Sequence, residues 1–168
     1  MQNAKDTFFV MLQGRLAALN PARTMVLRGV MRPGTLVDEN ELATATIAPD
    51  IFRLEWTGLG VDCAGALLLA AMDCSIAYCT DGTAGNAGMD RGRMLAQMDA
   101  ELAEALRAEP HAVTKMNYSA GGVGIAPVAM ATNIFWADPV FGAAAFVDCR
   151  LTRTATVQVF ACQEAGEL

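Results

Sequence analysis

The segment from Asp90 to Glu109, DRGRMLAQMDAELAEALRAE, leaves the chain little choice of fold. Met94, Met98, Leu102 and Leu106 recur at every fourth position, and Leu95 and Ala105 widen the same stripe. That spacing predicts one amphipathic helix over 90–109, with Arg93, Gln97, Glu101 and Glu104 largely off the stripe. Asp90 is placed to cap it, because a carboxylate there can accept from the free N–H groups of the first turn. Pro110 ends it, having no N–H and crowding the turn before it. A helix with one apolar stripe needs a surface to cover, and the flanking segments alternate like strands.

A second helix is predicted over 3–19, with Phe8, Leu12, Leu16 and Leu19 as its stripe and Phe9 beside it. Asn3 is its expected cap, Asp6 suits its first turn, and Pro21 stops it. Residues 23–37 read as a β-hairpin turning at Arg28-Gly29, with Pro33 marking an edge or a bulge. Residues 38–50 read as an exposed loop. Phe52, Leu54 and Trp56 alternate with Arg53 and Glu55, which predicts a half-buried strand over 51–57 that stops before Gly58 and Gly60. Residues 67–79 form the next strand, with Met72, Cys74, Ile76 and Tyr78 on one face. Residues 80–88 link it to the 90–109 helix. Residues 111–123 read as irregular and 133–136 as a short strand. The last strand covers 150–162, with Leu151, Ala155, Val157 and Val159 opposed to Thr152, Thr154, Thr156 and Gln158. The expected fold is α+β: a mainly antiparallel β-sheet with two amphipathic helices packed on one face, as a single domain over 1–168.

Apolar residues make up 54% of the chain and charged ones 18%, which is oilier than an average soluble domain. Much of the excess is Ala, with ten Met beside it. Ala-rich coding bias is one reading, and a surface buried in an assembly is the other. The net charge is −6 with no Lys/Arg cluster, which argues against specific nucleic-acid binding. No apolar run reaches the roughly 18 residues of a membrane span. The N-terminal segment lacks the pattern of a signal peptide, so synthesis in the cytoplasm is expected.

Candidate sites are few. Cysteines 63, 74, 79, 149 and 162 offer no CxxC pair and read as small buried hydrophobes. With His111 the only histidine, no zinc set forms, so neither a metal nor an organic cofactor is expected. Gly121, Gly122 and Gly124 suggest a phosphate loop, but the Lys and Ser/Thr of such a loop are missing. A pair of His111 with Ser75 or Ser119 is open only in three dimensions, since neither serine lies in G-x-S-x-G. Asp73 reads as an ordinary residue on the polar face of a strand. Arg150 and Arg153 read as a solvated face or a subunit interface. No catalytic, cofactor-binding or metal-ligating residue is assigned, and the chain is not expected to be an enzyme.

The helix DTFFVMLQGRLAAL, the strand MDCSIAYCTDG running towards MDRGRMLAQMDAELAEAL, and the closing strand RTATVQVFAC follow one another in a distinctive order. Over about residues 4–162 this layout resembles the tail terminator and tail-completion proteins of long-tailed phages and related contractile injection systems. The resemblance implies a structural protein whose copies form a ring, a hexamer, that caps the tail tube. It implies self-association, contact with tail tube or neck proteins, and a place in a virion or tail particle. Residues 38–50 and 115–131 depart from the compact family pattern as long inserts able to reach neighbouring copies. The other readings are a small cytoplasmic α+β binding or adaptor module and, third, an enzyme with an unrecognised site.

Overall fold

The computed structural model of the chain describes residues 1–39, 48–65, 68–119, 126–164 and 167. It begins with α1 (Gln2–Leu19) and a hairpin of β1 (Thr24–Leu27) and β2 (Val30–Pro33), followed by β3 (Thr35–Val37), β4 (Phe52–Asp62) and β5 (Leu69–Thr80). Then come α2 (Arg91–Arg107), β6 (Ala112–Asn117), β7 (Val128–Trp136), the short β8 (Val140–Phe141) and β9 (Ala145–Val147), and β10 (Arg150–Cys162). The main sheet runs in the order β3-β4-β5-β10-β7-β6, with β8 and β9 also paired to β10. Every pairing in it is antiparallel except β3 with β4. The fold is therefore α+β, with a mostly antiparallel sheet and two helices.

Period-two alternation decides which sheet face is covered. Met72, Cys74, Ile76 and Tyr78 of β5 and Ala155, Val157 and Val159 of β10 are fully buried on the inner face. Both helices pack there. Leu95, Met98, Leu102, Ala105 and Leu106 of α2 are buried, as are Ala4, Phe8, Leu12 and Leu16 of α1. Met94 is only half-buried, at the rim of the stripe, and Leu19 is exposed. Phe8 stands between two tryptophans, its ring centroid 5.9 Å from Trp56 and 6.1 Å from Trp136, both edge-on. Each such aromatic pair adds about 0.5–1.5 kcal/mol beyond area burial. Arg15 fastens the two helices together: its guanidinium donates to the carbonyl oxygens of Ala105 and Ala108 at the end of α2, each at 2.9 Å. It thereby satisfies carbonyls that the helix end leaves without partners.

Several boundaries differ from those read in the sequence. α1 starts at Gln2 with Met1 in the capping position, so Asn3 lies inside the first turn and caps nothing. Asp90 stands at the N-cap of α2 without capping it. Its carboxylate turns back instead to accept from the N–H and hydroxyl of Thr83 and the side-chain amide of Asn86. Those bonds, led by the Thr83 N–H, hold the Asp90 carboxyl at about 2.

Strand β4 does not stop at Thr57 but runs on to Asp62. A register shift between Trp56 and Gly58 absorbs one residue, and Gly58 fits because the Asp73 carboxylate occupies the space a Cβ would need, 2.6 Å away. Residues 112–117 are a strand rather than irregular, and the 133–136 strand begins at Val128. The ends of the insert 115–131 are therefore strand, 115–117 in β6 and 128–131 in β7, and its middle, 120–125, lies outside the described residues. Most of the 38–50 loop, 40–47, lies outside them too. Its flanks are held to the sheet: the Asp50 N–H donates to the Cys79 carbonyl, and the Asp38 carboxylate accepts from Arg53.

The hairpin turn is as expected, with Arg28 at φ 50° and Gly29 at φ 79°, the signs a two-residue type I′ turn requires. A tighter demand falls on Gly82, between β5 and α2. Its φ is +72°, and a Cβ there would lie 2.8 Å from the Gly88 backbone and 2.7 Å from Asp90 Oδ1. Gly82→Ala should cost at least about 1–2 kcal/mol and lower Tm in a thermal melt. An unchanged melt would show that the Thr83–Asp90 loop gives way without loss.

Candidate interaction surfaces

The residues singled out as possible chemistry are separated or already engaged. His111 stacks on Trp136, centroids 5.9 Å apart, and its Nε2 lies 3.1 Å from the Arg107 carbonyl oxygen. Trp136 belongs to the inner face, whereas Ser75 pairs with Glu55 and Thr156 on the outer one, so the sheet lies between Ser75 and His111. Ser119 follows β6 while His111 precedes it, about 20 Å away at a strand's rise per residue. The Ser119 hydroxyl donates to Asn117 Oδ1 at 2.8 Å. The structure thus forms no Ser–His pair. Asp73 lies on the outer face and accepts from Gln158.

Arg153 is neither on a solvated face nor at an open interface. It points to the helix side and pairs with Asp99 of α2, whose other carboxylate oxygen accepts from the Tyr78 hydroxyl. Burial, then the bond to Asp99, pushes the Tyr78 phenol far above its ordinary value. Arg150 pairs with Asp81 at 2.9 Å. The glycines at 121, 122 and 124 lie outside the described residues.

The five cysteines form no disulfide, and they are not uniformly interior. Cys74 and Cys79 are buried, and burial pushes both thiols up. Cys63 and Cys149 are exposed, Cys63 directly after β4 and Cys149 in the turn between β9 and β10. Among the described residues no three His, Cys, Asp or Glu side chains gather where they could hold a metal ion. No described helix is long and apolar enough to cross a membrane.

A buried ionic cluster went unnoticed in the sequence. Lys115, in the middle of β6, is fully buried and donates to the Cys162 carbonyl at 2.6 Å and to Glu167 Oε2 at 2.7 Å. Glu164 lies 3.5 Å from the same ammonium and accepts from the Thr132 hydroxyl and the Ala131 and Thr132 N–H groups. The cluster ties Glu164 and Glu167 to β6 and β7. A lysine between Thr114 and Met116 reads as exposed, and its carboxylate partner is 52 positions away.

Besides Phe135 and Val140, exposed on strands paired with β10, uncovered apolar residues gather at opposite ends of the sheet. At one end stands the hairpin, its base fixed by the Gly34 N–H donating to Arg23 and the Phe52 N–H donating to Gly34. On it Val26 and Val30 are each 64% exposed and Met31 71%. Phe146 and Val147 are exposed at the same end, where β9 pairs with β10 opposite Thr80. At the other end, where Asp62 pairs with Leu69, the exposed residues are Leu59, Val61, Leu68 and Leu69. The 11 residues of β4 place the two ends about 30 Å apart.

Among the described residues, the edge of β4 is open as well. On the side away from β5, β3 pairs with it only from Phe52 to Leu54. From Glu55 to Asp62 that edge has no strand partner among the described residues. Bare edges of this kind are templates for pairing with another chain. No protein-family model and no curated protein matches the chain.

Proposed function

We propose that the chain is a structural subunit that associates head to tail with copies of itself into a closed ring, acting as a tail terminator or completion protein of a phage-like tail or neck. The observation that carries this reading is the placement of uncovered apolar residues at opposite ends of one sheet. Val26, Val30 and Met31 stand on the hairpin tied to the Phe52 end of β4, whereas Leu59 and Val61 lie roughly 20–30 Å along that strand from Phe52. A contact joining unlike ends repeats from copy to copy and gives a ring when the rotation closes. The likeness in element order to tail terminators supplies the setting and the number six. The net charge of −6 suits a channel that DNA passes without sticking, since gripping phosphate takes Lys or Arg at the wall.

The test is to tag the chain in its native host and image the released particles. A ring of label at one end of a tail tube is expected. A chain missing from every tail and neck, or present without rotational symmetry, would overturn the proposal. The second reading, a binding or adaptor module, draws on the same open edge and predicts a different protein, rather than a second copy, along β4.

A further inference from the structure

We infer that the contact between copies is a strand addition: the β1–β2 hairpin of one copy pairs along the open edge of β4, Glu55–Asp62, in the next. The inference rests on the ring reading and names the surfaces that make it. Three observations point to a second copy as the occupant. The hairpin is a two-stranded sheet of its own, joined to no further strand among the described residues. An isolated pair of strands is marginal in water, and a third strand with an apolar face stabilises it.

The apolar faces also match. Val26 and Met31 are cross-strand partners and so share one face of the hairpin. Leu59 and Val61 share a face of β4 with their buried partners Met72 and Ala70, and both stay exposed because the helices stop short of them. Setting the hairpin beside β4 would continue that apolar face from one copy into the next while pairing backbone N–H and C=O groups that no strand among the described residues pairs. Charge is complementary too. The hairpin segment from Thr24 to Pro33 carries Arg28 at its turn and no acid, whereas the β4 segment carries Glu55 and Asp62 and no base. Because hairpin and edge lie at opposite ends, the contact is head to tail and leaves one of each free until the ring closes.

Two exposed substitutions test it. Met31→Asp spoils the hairpin and keeps the β4 edge, while Leu59→Asp does the reverse. Wild-type protein should form a closed oligomer by light scattering, and each variant alone should be a 17.7 kDa monomer with an unchanged thermal melt. Mixing the two variants leaves one intact contact per pair, so the mixture should form dimers and stop there. Monomers in the mixture, or a wild-type-like oligomer in either variant, would overturn the strand addition and leave the ring to some other surface. Wild-type protein that stays monomeric at every soluble concentration overturns this contact as well, while particle images still decide the ring.

Discussion

Lys115→Met is expected to lower the unfolding free energy by about 3–5 kcal/mol, the usual consequence of removing one partner from a buried ion pair. The methionine has nearly the same length, so packing changes little. What is lost is, among the described residues, the only cation within hydrogen-bond reach of Glu167, whose side chain is 2% exposed. The amino group of Met1, 3.8 Å from Glu167 Oε1, is too far to take over the bond. The Cys162 carbonyl loses its donor at the same time. Adding Glu167→Gln to Lys115→Met should recover part of the loss, because a neutral amide is cheaper to bury than a carboxylate.

Acid should act on the same cluster. Burial pushes the Glu167 carboxyl up, but the bond from Lys115 and the Glu164 N–H outweigh it, so the folded value lies below the ordinary 4.5. Glu164 is held at about 2, first by the Thr132 hydroxyl and then, against some desolvation, by the N–H groups of Ala131 and Thr132. A carboxyl depressed on folding stabilises fully above its unfolded value and loses that contribution as pH falls through its folded one. Wild-type stability should therefore decline from about pH 4.5 towards about pH 2. In Lys115→Met, burial of Glu167 prevails and the decline should begin at higher pH. Urea melts at neutral pH and at about pH 3 would show both effects. Equal stability of wild type and Lys115→Met at neutral pH would refute the clamp.

Leu102→Asp should unfold the chain outright. Leu102 is fully buried at the centre of α2, against the inner face of the sheet. Deleting a buried leucine costs about 2–5 kcal/mol by itself. An unpaired carboxylate in its place adds several kcal/mol more, and a domain's whole margin is about 5–15 kcal/mol. Leu102→Ala, which removes the packing without adding charge, should remain folded with a lower Tm. Soluble Leu102→Asp protein with a wild-type melt would remove α2 from the core.

What could be read from the sequence was whatever repeats with a period. The stripe of α2, the alternation of β5 and the full span of β10 from Arg150 to Cys162 are local patterns, set by neighbours two to four positions away. The features that escaped depend on distant partners. Gly58 and Gly60 look like strand breakers until Asp73 is seen beside the bulge. β6 looks polar because its central residue is a lysine whose counter-charges arrive after β10. Asp90 has the right position for a cap, but Thr83 offers its carboxylate both an N–H and a hydroxyl. The open ends were hidden for a different reason. Valine, leucine and methionine on a protruding hairpin have the same spelling as those in a core, so only topology separates Val26 and Met31 from Val157 and Met98.

The position of Phe8 has an optical consequence. The chain has two tryptophans, carried by strands β4 and β7 on either side of the central pair, and both lean on this one ring of α1. Each indole also has a cation from the same helix over it, Lys5 at 5.5 Å from the Trp56 centroid and Arg15 at 5.1 Å from that of Trp136. Intrinsic fluorescence therefore reads the docking of α1 at both indoles, beside the His111 ring and Leu106 carbonyl that also hold Trp136. If that helix lifts away while the sheet stays intact, both emissions change together, and the unmodified protein reports the motion without a dye.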